Sequence, residues 1–166
     1  MMVIGIDPGT ATTGYGLVQE NENGSLKLID YGVILTSPGI AMPERLSSLY
    51  ERLKEILLLH HPESAAVEKL FFQRNVTTAI SVGQARGVVL LALSQMKLDV
   101  AEYTPLEIKQ AVVGYGGARK QQVQQMVRAL LDMEEIPRPD DAADALAVAI
   151  CHLHSAGMRQ IYNQNQ

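Results

Sequence analysis

The first third of the chain alternates apolar and polar positions in a way that predicts three β-strands. Residues 2–7 form a short β-branched run that ends at Asp7 and is followed by Pro8-Gly9, a turn signal. Residues 14–20 and 26–35 form two further runs. The Asn-Glu-Asn-Gly segment between them predicts a hairpin connection. The chain therefore opens with a three-stranded meander.

After the meander the apolar period lengthens to three and four residues, which indicates helices. Leu46, Leu49, Leu53 and Leu57 share one face of an amphipathic helix over residues 43–61. The elements predicted after it are a strand over 64–70, a long and largely buried helix over 73–96, a strand over 98–104, a short helix over 105–114, a flexible glycine-rich loop over 114–119, a helix over 120–131, and a last helix from Pro139 to about His154. This order predicts one α/β domain with a mixed five-stranded sheet flanked by helices.

Length and composition agree with a single folded domain. A chain of 166 residues with 47% hydrophobic and 19% charged residues is typical of a globular protein. We expect this domain to extend over residues 1–157, with a disordered polar tail over 158–166. A single cysteine, Cys151, excludes an internal disulfide and favours a reducing compartment. The start of the chain resembles no signal peptide and the apolar runs are short, so a cytoplasmic location is expected.

The charges are unevenly distributed along the chain. The net charge of −4 argues against a nucleic-acid partner, but residues 69–128 contain eight basic and three acidic residues. This segment therefore carries +5 and the rest of the chain −9. Such asymmetry is compatible with a basic face that binds phosphates. Scattered solvated side chains explain the same numbers, so charge alone leaves both possibilities open.

Four acidic residues occupy positions suited to chemistry. Asp7 ends the first strand, and Glu68 lies in a strand between apolar neighbours. Asp141 and Asp144 are three residues apart and share one face of the last helix. Asp140 also shares a face with Asp144, so spacing does not choose between the two neighbouring aspartates.

A convergence of these acids would require a cation. Carboxylates about 4 Å apart repel each other by roughly 4 kcal/mol per pair at an effective dielectric constant of 20. An all-oxygen carboxylate site favours Mg²⁺, with Mn²⁺ as a substitute. Two such ions per active site could activate a water molecule and stabilise the leaving oxygen of a phosphodiester.

Each acid also has an ordinary structural explanation. Asp140 and Asp141 would complement the dipole at a helix start. Asp7 before Pro-Gly suits a turn residue, and Glu68 could be a charge at a sheet edge. Asp144 lies too far into the helix for a cap, so it is the hardest of these residues to explain without a function.

Five segments of the chain together resemble the RuvC-type Holliday junction resolvases. They are GIDPGT…TGYG, VEKLFFQRN, GQARG, IKQAVVGYGGARKQQV and DAADALAVAICH, and the resemblance extends from about Ile4 to His154. It implies a ribonuclease H-like fold and a homodimeric, metal-dependent endonuclease that makes paired nicks in four-way DNA junctions during recombination and repair. It also suggests a branch-migration motor complex of the RuvA and RuvB type as a partner.

The resemblance implies roles for individual acidic residues. Asp7, Glu68, Asp141 and Asp144 match the catalytic, metal-binding quartet of the family. The family pattern Asp-Ala-Ala-Asp-Ala-Leu selects Asp141 over Asp140. Some relatives have histidine at this third position, whereas the present chain has the acidic version.

Basic and aromatic residues complete the expected site. Lys109 and Lys120 match family lysines near the catalytic centre, where an ammonium group can hold the scissile phosphate; ordinary exposed lysines are the alternative. Phe71 matches an aromatic residue that interacts with bases at the junction centre. A core role is its alternative, because Phe72 follows it and neighbouring strand residues face opposite ways. Weaker candidates for contacts with the DNA backbone are Arg74, Arg86 and Arg119.

The segment Cys151-His-Leu-His154 contains potential metal ligands, but no second pair with zinc-type spacing accompanies it. We expect His152 or His154 to act as a positive charge at the end of the last helix.

Three other classes of protein remain as alternatives. Actin-like ATPases and sugar kinases begin with a similar strand-Asp-Gly-Thr turn, but they need two related domains and this chain is short. Ribonuclease H-like enzymes that trim ribosomal RNA precursors share the Asp-Pro-Gly turn, but we would not expect them to contain GQARG or EKLFFQRN. A junction-binding scaffold without catalysis would require a damaged acidic quartet.

Overall fold

The computed structural model describes residues 1–69 and 76–164, with side chains described over 1–69 and 79–156. The elements in chain order are β1 (Met2–Asp7), β2 (Thr12–Glu20), β3 (Leu26–Leu35), α1 (Met42–His60), β4 (Ser64–Glu68), α2 (Val76–Gln95), β5 (Asp99–Tyr103), α3 (Pro105–Val113), α4 (Lys120–Leu130) and α5 (Asp140–Gln164). The strands form a five-stranded sheet in the order β3-β2-β1-β4-β5. The predicted mixed sheet is therefore confirmed.

The strand pairing places two strand ends side by side. β1 pairs with β2 and β2 with β3 in antiparallel fashion, as expected for a meander. β1 pairs with β4 and β4 with β5 in parallel. Ile6 lies opposite Val67 in this register, so Asp7 and Glu68 both follow at the same edge of the sheet.

Both faces of the sheet are covered by helices. The protein has one core cluster on each face of the sheet. Residues of β1 contribute to both clusters, because side chains alternate between the two faces along a strand. The core on the α5 side includes Val3, Val18, Val127, Leu146, Ile150 and Leu153. The core on the α1 and α2 side includes Ile4, Ile6, Leu49, Leu53, Val89 and Leu93.

Helix α5 packs unusually close to the sheet because glycines leave room for its backbone. A Cβ atom on Gly14 of β2 would lie 2.0 Å from the carbonyl oxygen of Asp141. A Cβ atom on Gly5 of β1 would lie 2.2 Å from the carbonyl oxygen of Ala145. These glycines therefore set the position of the first turns of α5 against the β1–β2 hairpin.

Two predictions about helices are wrong. The last helix begins at Asp140 and extends to Gln164, well beyond the expected end near His154. The extension contains no proline, and adding residues to an existing helix costs less than starting one. Helix α2 is not largely buried, since Ile80 is 62% and Leu91 52% exposed. One side of α2 packs against the sheet, whereas Ile80 and Leu91 on another side remain exposed.

Within the parts of the chain described above, no helix is long and apolar enough to cross a membrane.

The expectation that His152 or His154 would act as a charge at a helix end is also wrong, because α5 continues past both residues. His152 instead joins α5 to two strands. Its Nε2 atom lies 2.8 Å from Ser64 Oγ of β4, and its Nδ1 atom lies 2.9 Å from the hydroxyl of Tyr103 of β5. The imidazole is thus part of the packing between helix and sheet.

Candidate active site

Four carboxylates approach one another at the edge of the sheet where β1 and β4 end. Asp7 and Glu68 are the last residues of these parallel neighbours. Asp141 and Asp144 lie in the first turns of α5. Gly14 connects the two groups, because its backbone pairs with Asp7 and contacts the backbone of Asp141.

These carboxylates interact electrostatically. The pKa of Asp7 is raised to about 8, mainly by burial and in addition by the nearby charges of Glu68, Asp144 and Asp141. Burial, followed by the charge of Asp144, raises the pKa of Glu68 to about 6, although a hydrogen bond with Asp7 opposes this shift. The higher pKa of Asp7 favours Asp7 as the proton donor in its hydrogen bond with Glu68.

Lys120, at the start of α4, supplies an opposing charge. Its Nζ atom lies 2.8 Å from Asp144 Oδ2 and 3.5 Å from Asp140 Oδ2. Its charge also lowers the pKa of both Asp7 and Glu68. Burial nevertheless dominates at Asp144, whose pKa is raised. Lys120 is therefore an internal counter-ion of the carboxylate cluster.

The predicted quartet does not stand in a ready-made ligand arrangement. Among the residues with a described position, no group of three or more histidine, cysteine, aspartate or glutamate side chains could hold a metal ion as placed. Asp144 is instead paired with Lys120, and Asp7 is hydrogen-bonded to Glu68. The donor chemistry still fits a hard divalent cation, because four carboxylates from three elements face one region.

Asp140 is held by a different set of neighbours. Arg138 NH1 lies 2.6 Å from Asp140 Oδ1, and Gln124 Nε2 donates a hydrogen bond of 3.1 Å to the same oxygen. The nearby charge of Lys120 is the main reason that the pKa of Asp140 is lowered. Asp140 therefore belongs to a basic and polar neighbourhood at the rim of the site.

An open cleft with a volume of about 230 Å³ adjoins the carboxylates. Its lining consists of Glu68, Pro105, Ile108, Lys109, Lys120, Val123, Asp144 and Ala147. Lys109 projects from α3, whose start is capped by Thr104, and its charge lowers the pKa of Glu68. Two lysines and two carboxylates therefore share a cleft whose remaining wall is apolar.

The predicted arginines have different positions. Arg86 forms an ion pair with Glu102 of β5, so its charge is already engaged inside the protein. Arg119 is exposed at the start of α4, where its backbone N–H donates to Gln122 Oε1 at 2.8 Å. Phe71 and Arg74, two of the predicted DNA-binding residues, lie outside the described part of the chain.

The sequence-based account of the site omitted the glycines that position it. Gly5 and Gly14 each lie inside a run that reads as a strand. An isolated glycine in a strand is a known sign of a close backbone approach, so a usable signal was present. The partner of Lys120 left no comparable signal, because Asp144 is distant in sequence.

Comparison with known proteins gives consistent results. The family model described as "Crossover junction endodeoxyribonuclease RuvC" matches residues 3–152. The protein of that name from Desulfitobacterium hafniense is 59% identical over 158 residues, which is 95% of both chains. The one from Chloroflexus aurantiacus is 59% identical over 156 residues, or 94% of both chains.

Solved structures agree with these relatives. Thermus thermophilus RuvC has a TM-score of 0.89 and 41% identity, covering 95% of this chain and 96% of that one. The same protein in complex with a Holliday junction substrate has a TM-score of 0.87 and 38% identity, with the same coverage. The yeast mitochondrial Holliday junction resolvase Ydc2, at 16% identity and a TM-score of 0.74, shares the fold alone. With a family model and close relatives that match nearly its whole length, the chain belongs to the RuvC family of crossover junction endodeoxyribonucleases.

Proposed function

We propose that this protein is a metal-dependent endonuclease that resolves four-way DNA junctions by paired, symmetric nicks during recombination and repair. The observation that carries the proposal is the cluster of carboxylates and lysines beside an open cleft at the ends of β1 and β4. A further support is the Thermus thermophilus relative, whose structure contains a Holliday junction substrate.

Membership of the family implies that a divalent metal ion is required. The ion we propose is Mg²⁺, with Mn²⁺ as a substitute and two ions per active site. Asp7, Glu68, Asp141 and Asp144 would hold them. When bound, such ions supply a Lewis acid and an activated water for phosphodiester hydrolysis. Ligation requires ionised carboxylates, so Asp7 has to release its proton when metal binds.

The remaining residues of the cleft are proposed to hold the DNA strand. Lys109 and Lys120 would bind the scissile phosphate and the negative charge that develops on it. The apolar wall formed by Ile108, Val123 and Ala147 keeps the local dielectric constant low, which strengthens these charge interactions. In this role the cleft orients one phosphate relative to the carboxylates.

Contacts beyond the cleft remain proposals from the sequence. Phe71 is proposed to stack on a base at the junction centre, and Arg74 and Arg119 to contact the DNA backbone. Arg86 could do so only by leaving Glu102, so it is the weakest of these candidates.

Paired nicks require two active sites, so the working form is proposed to be a homodimer. The expected partner is a branch-migration motor complex of the RuvA and RuvB type, and the proposed location is the cytoplasm. One nuclease domain over residues 1–157 would carry the whole activity.

The test is incubation of the purified protein with a synthetic four-way DNA junction and Mg²⁺, with nicks mapped on every strand. Nicks at symmetric positions in two strands of like polarity are expected, and an excess of chelator should abolish them. Asp7→Asn should remove nicking and leave junction affinity within about threefold, because it removes a ligand and leaves the basic surface intact. Cleavage of structured RNA without any nicking of the junction would instead support an RNA-processing enzyme.

A further inference from the structure

The ammonium group of Lys120 occupies a position inside the carboxylate cluster. It lies at hydrogen-bonding distance from Asp144, at 2.8 Å, and is closer to this residue than to Asp140, at 3.5 Å. The side chain of Asp144 is 28% exposed and that of Lys120 is 51% exposed. The lysine therefore reaches from the rim of the cleft towards a largely covered carboxylate.

Asp140 provides a second, fixed partner for the same lysine. Arg138 and Gln124 both bind Asp140 Oδ1, whereas Lys120 approaches Asp140 Oδ2. These contacts hold Asp140 at the rim regardless of where the lysine points. A small rotation of the Lys120 side chain would exchange Asp144 for Asp140 and keep the ammonium group paired.

We propose that Lys120 is a displaceable counter-ion of the metal site: it neutralises Asp144 in the metal-free protein and moves to Asp140 when a divalent cation takes Asp144. This inference rests on the proposed function, since it assigns Asp144 to the metal. The same movement leaves the ammonium group in the cleft, next to the expected position of the DNA phosphate.

The physical basis is competition for one set of oxygen lone pairs. An Asp144 oxygen that accepts a short hydrogen bond from Lys120 has to lose that bond before it can ligate a metal ion. Part of the metal-binding free energy is therefore used to break the ion pair, and Lys120 lowers the apparent affinity for the cation.

Lys109 offers a matched comparison. It lines the same cleft and acts on Glu68 through its charge, but it makes no ion pair with any residue of the described segments. Replacing either lysine by methionine removes one positive charge close to the carboxylates. Only replacement of Lys120 also removes the competing contact.

The experiment is a calorimetric titration of the full-length protein with Mn²⁺ at constant ionic strength, without DNA. Lys120→Met is expected to bind Mn²⁺ about tenfold more tightly than the wild type, and Lys109→Met to stay within about threefold. Equal changes in the two variants would overturn the inference, because the effect would then come from charge alone. Failure of the wild-type protein to bind Mn²⁺ at any accessible concentration would instead contradict the proposed function.

A conservative variant keeps the inference testable if the Lys120→Met protein does not fold. Lys120→Arg keeps the positive charge, and its guanidinium group can hold a carboxylate with two N–H donors. It should therefore bind Mn²⁺ no more tightly than the wild type. Tighter binding by this variant would contradict the competition. Melting temperatures in chelator should fall more for Lys120→Met than for Lys109→Met, which removes no ion pair; the reverse pattern would also overturn the inference.

Discussion

At the scale of single residues, Asp7 is a carboxyl group in an environment that disfavours its charge. It is half-buried at the end of β1, and the carboxylates of Glu68, Asp144 and Asp141 lie close enough to raise its pKa. Such a cluster lowers the stability of the protein when all its members are ionised. An arrangement of this kind is typical of a site selected for chemistry rather than for folding.

The raised pKa of Asp7 predicts how stability depends on pH in the absence of metal. Its ordinary value of 3.8 rises to about 8 in the folded protein, so between these values the folded state binds the proton more strongly. The stabilisation that protonated Asp7 provides to the folded state is therefore fully present below about pH 4. It is lost progressively as the pH rises through 8. Asp7→Asn resembles the protonated acid and should remove this loss.

Unfolding by urea in chelator at pH 5 and pH 8 measures this effect. Asp7→Asn should be more stable than the wild type at pH 8 by several kcal/mol, with about 5 kcal/mol as the upper limit set by this shift, and closer to it at pH 5. Asp140→Asn is the control, and it should change the stability at pH 8 in the opposite direction. The pKa of Asp140 is lowered, so its charge is favourable in the folded state. Equal pH dependence of wild type and Asp7→Asn would show that Asp7 is ionised throughout.

At the scale of elements, the carboxylate cluster depends on how closely α5 approaches the sheet. The helix presents Asp141 and Asp144, and its first turn rests on Gly14 of β2. A side chain at Gly14 would collide with backbone atoms of Asp141, which cannot rotate away as a side chain could. The first turn of α5 would have to move away from β1 and from Asp7.

Gly14→Ala is therefore expected to destabilise the protein by about 2–4 kcal/mol and to weaken Mn²⁺ binding by at least tenfold. Gly39→Ala is the matched control, since its Cβ atom would meet only Ser37 Oγ at an ordinary distance of 3.7 Å. Thermal unfolding and Mn²⁺ titration of both variants test the prediction. A Gly14→Ala protein with wild-type melting temperature and metal affinity would rule out this role for the close packing.

At the scale of the whole molecule, the acidic total charge conceals a basic region. The segment 69–128 carries eight of the 14 lysines and arginines of the chain, among them Lys109 and Lys120, which line the cleft. Some of this charge is used internally, as in the pair formed by Arg86 with Glu102. Binding of DNA is thus expected to depend on a local positive region in a protein of net charge −4.

Such binding should be sensitive to salt. If each protomer of the homodimer neutralises about four phosphates, the complex contacts about eight, and junction affinity should fall roughly 10⁴-fold between 50 and 200 mM monovalent salt. Fluorescence anisotropy with a labelled junction in Ca²⁺ or chelator measures this dependence without cleavage. An affinity that does not change with salt would contradict electrostatic recognition of the DNA backbone.

The sequence by itself determined much of the fold and the membership of the acidic set. The order of strands and helices followed from apolar periodicity and from turn signals, which are local properties of the chain. Asp7 and Glu68 were recognisable because each ends or interrupts an apolar strand, and Asp144 because it lies within an apolar helix. Resemblance to a known family resolved the choice between Asp140 and Asp141.

Only the tertiary structure decided how these residues act on one another. It showed that Lys120 pairs with Asp144, that burial and neighbouring charges raise the pKa of Asp7, and that Gly14 brings Asp141 to the sheet. The tertiary structure also showed that α5 continues past His154, its expected end. The first three features depend on distances between segments far apart along the chain and on the exclusion of water between them. Local patterns carry no information about either, whereas packing of helix against sheet determines both.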